Sequence, residues 1–61
     1  MKFKLKRIRE EKGYSQDELA KLSNVSRTVI SNIETKPDYI TTTGTLKKLA
    51  KVLDISLEDF F

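Results

Sequence analysis

The 61-residue chain contains no cysteine, no histidine and no tryptophan. Without cysteine there is no disulfide framework and no thiolate metal site. Without histidine the commonest general base, proton shuttle and zinc ligand are all missing. Only carboxylates and hydroxyls remain for hydrolytic chemistry, and so short a chain rarely encloses a pocket around them. The expectation is a binding protein rather than an enzyme, with no cofactor, no metal and no small-molecule ligand. No apolar run approaches the roughly 18 residues of a membrane span. The basic start Met1-Lys2-Phe3-Lys4-Leu5-Lys6 lacks the apolar stretch of a secretory signal. A cytoplasmic protein without a membrane partner is expected. Two glycines and one proline give little punctuation, and β-branched residues never alternate over a long run. Apolar spacing is helical nearly throughout, which predicts an all-α fold in a single domain over residues 1–61.

What is present is charge, 34% of the residues against 38% hydrophobic, with a net +3. That balance belongs to a folded, soluble chain. The excess is unevenly placed. Residues 1–12 hold six Lys or Arg (Lys2, Lys4, Lys6, Arg7, Arg9, Lys12) against Glu10 and Glu11, whereas residues 37–61 are net negative by one. Such a run is either a solvated helix face or an approach surface for a polyanion.

Five short helices are predicted. The first covers about Phe3 to Lys12 and is stopped by Gly13 in the left-handed region. Ser15-Gln16-Asp17-Glu18 has the form of a capping box and opens a second helix, Gln16 to Ser23. Asn24 tolerates a left-handed backbone. Ser26 caps a third helix, Arg27 to Thr35. Lys36-Pro37 and the Thr-rich stretch form a loop. Thr42 or Thr43 caps a fourth helix ending near Asp54, with Leu46, Leu49, Ala50 and Leu53 on one face. Ser56 and Asp59 open a last short turn through Phe61.

The informative stretch is Gln16 to Thr35. Two short helices meet at Asn24-Val25-Ser26. Ala20 is small where another helix can cross, and Leu19, Val25, Ile30 and Ile33 surround that crossing. This is the sequence form of a helix-turn-helix. At 100° per residue, Ser31, Thr35, Thr28 and Asn32 lie within about 140° of Arg27, while Val29, Ile33 and Ile30 occupy the other side. The polar side carries no acid. Arg can pair with guanine, Asn with adenine, and Ser or Thr with base or phosphate, so this face suits a major groove.

The runs Gly13-Tyr14-Ser15-Gln16-Asp17-Glu18-Leu19-Ala20 and Val25-Ser26-Arg27-Thr28-Val29-Ile30-Ser31-Asn32-Ile33-Glu34 resemble the Cro/C1-type helix-turn-helix family, the phage-repressor-like or XRE group of bacterial regulators. Residues 45–53 resemble its fourth helix and residues 56–61 its fifth. The resemblance implies a compact five-helix, lambda-repressor-like domain whose third helix reads operator DNA. The resulting expectation is a regulator of transcription, with repression the expected outcome, that binds double-stranded DNA as a homodimer because one short helix covers only a few base pairs. The resemblance implies base contacts from Arg27, Thr28, Ser31 and Asn32. It implies phosphate contacts from Gln16, with Ser15, Ser26, Thr35 and Lys36 along the groove wall. In relatives an arginine at the place of Arg9 pairs with the glutamate at the place of Glu34; a phosphate contact is the other reading of Arg9. The chain departs from the family in Thr35-Lys36-Pro37, where a glycine usually follows the glutamate, and in Ser23, where an apolar or small residue is usual.

The aromatic residues Phe60 and Tyr14 read as core or core edge. Tyr39 and Ile40 either cap the core locally or touch a second subunit. Leu57 and Phe60 can both face inward, which turns Phe61 outward as the first candidate for a dimer contact. The rival to a DNA-binding regulator is a protein-interaction module on the same scaffold, such as an antitoxin or a coactivator-like subunit, which would not need the donor-rich third helix.

Overall fold

In the computed structural model, which describes residues 3–61, capping chemistry sets most helix boundaries. Helix α1, Leu5–Glu11, starts two residues later than the apolar pattern suggests. Lys4 offers no side-chain cap, and its N–H instead donates to the Phe60 carbonyl at 2.9 Å. Gly13 ends the first turn region at φ +82°. Open space surrounds the place a Cβ would occupy there, so glycine is required by the backbone angle and not by crowding.

Helix α2, Gln16–Ser23, begins with the expected capping box. Ser15 Oγ accepts from Glu18 N at 3.0 Å, and Glu18 Oε1 accepts from Ser15 N at 2.9 Å. The bond from the Ser15 backbone holds the Glu18 carboxyl below its ordinary value. Asn24 closes α2 at φ 60°. Ser26 then caps α3, Arg27–Thr35, accepting from Val29 N. Of the two threonines that could cap α4, Thr43–Leu53, Thr42 does so, accepting from Thr45 N at 3.2 Å. Asp54 ends α4 in the left-handed region at φ 56°, a position where the side chain can bond locally and so offset the strain.

The expected fifth helix is a 3-10 turn, Leu57–Phe60, so the architecture is four α-helices plus that turn. Its bonds run from Asp59 N to Ser56 O and from Phe61 N to Glu58 O, the tighter i to i+3 pattern. The Phe60 carbonyl is held by Lys4 N, and the Phe60 ring is fully buried. Both constraints draw the last residues inward before a full α turn can form.

Each of these elements supplies part of one core. Leu5, Leu19, Ile30, Ile33, Leu49, Leu53 and Phe60 are essentially inaccessible, with Val25, Leu46 and Ala50 at its edge. Helix α2 packs on both α3 and α4, and α1 rests against α3. Ser23, one of the departures noted above, is buried in this core. Its Oγ donates to Leu19 O at 2.6 Å and accepts from Val25 N at 3.3 Å. The hydroxyl thus satisfies a turn N–H that would otherwise be orphaned, which makes serine acceptable there. Among the described residues no helix is long and apolar enough to cross a membrane.

Candidate nucleic-acid interface

The N-terminus of α2 and the outer face of α3 come together because α2 packs on α3, with Leu19 in the core and Ala20 against it. Their polar sides then share one shallow depression of about 270 Å³, lined by Gln16, Arg27, Thr28, Ser31 and Asn32. Arg27 and Thr28 are exposed; Gln16, Ser31 and Asn32 are half-buried. The lining holds amide and hydroxyl donors and one guanidinium, with no carboxylate. A polyanion or a base edge is the ligand such a surface can satisfy.

Behind the depression lies a bidentate ion pair. Arg9 Nε donates to Glu34 Oε2 at 2.7 Å and Nη2 to Oε1 at 3.0 Å. Both side chains are almost wholly buried, at 9% and 1% exposure. Arg9 Nη1 also donates to the Tyr14 carbonyl at 2.7 Å, fixing the turn between α1 and α2. Hydrogen bonding to Glu34 raises the arginine's pKa further. With its donors turned inward, Arg9 is a structural partner of Glu34 and has no guanidinium edge to offer a phosphate.

Two contacts at this site escaped the sequence reading. Gln16 Nε2 donates to Glu34 Oε1 at 2.9 Å. One amide hydrogen is therefore anchored to the ion pair, and the second remains available, since the amide nitrogen carries two. Arg27 Nε lies 3.3 Å from Asp17 Oδ1. Both contacts join α2 to α3, and a helix-turn-helix crossing, not local spacing, brings them together.

The Ser15 and Ser26 hydroxyls accept from helix N–H groups, and each keeps a proton to donate outward. Thr35 directs its hydroxyl proton to Ser31 O at 2.7 Å and lies outside the depression. Lys36 is exposed at the end of α3, where its N–H bonds Asn32 O. Tyr39 packs against the core while Ile40 is 89% exposed. Phe61 is half exposed and meets Phe3 edge-on at a centroid distance of 5.3 Å. Phe3 also borders the depression lined by Pro37, Asp38, Tyr39, Ile40 and Thr41, so it touches Phe61 and shares that depression with Ile40.

A short helix packed against the one that follows it and joined to it by a left-handed asparagine defines a helix-turn-helix domain. The family model described as helix-turn-helix, of the Cro/C1 type, matches residues 5–60, and the chain belongs to that family. It is 36% identical, over its whole length and 91% of the other's, to YgzD, an uncharacterised HTH-type transcriptional regulator of Bacillus subtilis (strain 168). It is 38% identical over 53 residues to the antitoxin HipB of Escherichia coli (strain K12), covering 87% of this chain and 59% of HipB. The solved N-terminal DNA binding domain of SinR from Bacillus subtilis superposes with a TM-score of 0.83 at 36% identity, over 90% of this chain and 80% of that one.

Proposed function

We propose that the chain is a sequence-specific regulator of transcription that lays α3 in the major groove of double-stranded DNA. The observation that carries this is the carboxylate-free gathering of Gln16, Arg27, Thr28, Ser31 and Asn32 around one depression. In this reading Arg27, Thr28, Ser31 and Asn32 meet base edges. Gln16, held by Glu34, gives its second amide hydrogen to a backbone phosphate, and Ser15, Ser26 and Lys36 add contacts along the groove wall. Thr35 is not among these contacts, because its hydroxyl proton goes to Ser31 O. The basic residues of α1 supply long-range attraction. The protein acts as a homodimer through the exposed Phe61 and Ile40, and represses by occluding a promoter. The SinR domain, named for DNA binding, and the regulators YgzD and SinR support this reading.

The likeness to HipB supports a second reading, in which the chain is the antitoxin of a toxin partner. Selection of bound sequences from a random duplex pool, followed by Arg27→Ala with Asn32→Ala, separates the two. A recovered consensus lost in the folded double variant supports DNA readout. No consensus, with cellular activity unchanged in the double variant, supports the partner-binding role.

A further inference from the structure

The only charged group among the five residues lining the α2–α3 depression is Arg27, and that charge is not free. Asp17 stands on the first turn of α2, next to Gln16, with Oδ1 3.3 Å from Arg27 Nε. Both side chains are well exposed, 73% for Asp17 and 63% for Arg27. An exposed pair of this kind is weak and exchangeable. Its place is unusual for a surface meant to meet a polyanion, because the carboxylate sits beside the residues proposed to approach phosphate and is repelled by it.

We infer that Asp17 is a specificity-determining, positioning residue: it holds Arg27 through Nε while the Nη end reads a base edge that accepts two hydrogen bonds, and it must be given up for any phosphate contact. This rests on the DNA-binding reading above. The contact with Asp17 uses Nε, on the stem side of the guanidinium. The Nη end carries the other four N–H donors, and two of these match the O6 and N7 acceptors of guanine. Arg27 can therefore be steadied by Asp17 and read guanine at once. On a duplex without guanine at that position, the guanidinium could only turn to a phosphate, and it would have to leave Asp17 to do so. The pair is neutral as a unit, so the reading face adds little to sequence-independent attraction. That attraction is left to α1. Asp17 thereby lowers binding to wrong sequences more than to the right one, and discrimination is that difference.

The test uses the full chain, the operator recovered from the random pool and a scrambled duplex of equal length. Affinities are measured across roughly 50–200 mM salt, where counterion release dominates the response. Asp17→Asn keeps the side-chain shape and, being on an exposed residue, leaves the fold intact. It should bind the scrambled duplex roughly two- to fivefold tighter, the range an exposed ion pair spans. Its salt slope on that duplex should steepen by about one, the signature of one more phosphate contact. The preference at one base pair of each half-site should weaken in a repeated selection. Once Arg27→Ala is in place, adding Asp17→Asn should no longer change the operator-to-scrambled ratio. The inference is overturned if Asp17→Asn shifts both duplexes by the same factor, leaves slope and ratio unchanged, or alters the ratio equally with and without Arg27. Failure of the DNA-binding reading itself is seen separately, in the unsubstituted protein: it would bind no duplex and return no consensus, and the role of Asp17 would fall with it.

Discussion

Gln16 and Glu34, eighteen positions apart, are joined by a 2.9 Å hydrogen bond that ties the start of α2 to the end of α3. The same Glu34 carboxylate is gripped by Arg9, so one buried group fixes α1, α2 and α3 relative to each other. Glu34→Gln leaves the Arg9 guanidinium buried without its counter-charge. Removing one partner of a buried pair typically costs about 3–5 kcal/mol, which is of the order of the whole stability of so small a core. Urea unfolding should therefore show Glu34→Gln largely unfolded at room temperature. Replacing both partners by apolar residues, Arg9→Met with Glu34→Leu, should lose much less. Equal losses in the single and double variants would mean that the burial of charge is not what makes the pair matter.

The α2 cap makes stability depend on acid. Glu18 in the folded chain titrates below its ordinary value near 4.5, because its carboxylate accepts from the Ser15 backbone. A lowered folded value means that the cap's contribution is complete above the unfolded value and is lost as pH falls through the folded one. Glu18→Gln should thus be less stable than the parent at pH 7 and show a smaller loss between pH 5 and 3. Parallel pH profiles for the two proteins would show that the cap carries no charge-dependent part.

Much of the fold was legible because its signals are local. Ser15 with Glu18, Ser26 and Thr42 each mark a boundary through a bond within three residues, Thr42 being one of the two threonines expected, and Asn24 marks one through its left-handed backbone. The apolar stripe of α4 is likewise a matter of period. Legibility fails where a decision belongs to two elements at once. Lys4 gives its N–H to the Phe60 carbonyl, a tertiary bond that no pattern within residues 3–12 announces. The spacing of Leu57 and Phe60 suits an α turn and a 3-10 turn equally, so packing alone decides between them. At the site, the polar face of α3 followed from angular position. The contacts that organise it, the Gln16–Glu34 hydrogen bond and the Asp17–Arg27 ion pair, required the crossing geometry of α2 and α3.

Readout and backbone contact should separate in two variants. Arg27→Ala should cost roughly 1–3 kcal/mol on the operator and relax preference at one base pair per half-site. Gln16→Ala should weaken binding to all duplexes by a similar factor. If about six phosphates are met in all, the parent complex should weaken by orders of magnitude between roughly 50 and 200 mM salt. A competition assay showing uniform loss for Arg27→Ala and altered preference for Gln16→Ala would reverse the two assignments. A flat salt profile would remove DNA as the target.

A single nine-residue recognition helix spans only a few base pairs, too little for useful discrimination among genomic sites. A second copy doubles the reading surface, and two-fold symmetry then spaces half-sites about 10 base pairs apart. The contact should involve Phe61, which is half exposed against Phe3, and Ile40, the most exposed large apolar side chain described. Phe60 is fully buried and belongs to the fold, so Phe61 can be changed without touching the core. Full burial of a phenylalanine is worth up to about 3 kcal/mol, and half of that remains to be gained at Phe61. In a two-fold interface the gain counts once per protomer. Phe61→Ser should therefore weaken operator binding by roughly 2–3 kcal/mol, on the order of a hundredfold. Urea unfolding of the monomer should lose no more than the half of that burial already made against Phe3, up to about 1.5 kcal/mol, with the fold retained. Affinity for an isolated half-site should change little, because that complex uses no second copy. Sedimentation with one and two half-sites decides the matter: a one-to-one complex on both, with Phe61→Ser binding the full operator as tightly as the parent, would place the dimer contact elsewhere or remove it.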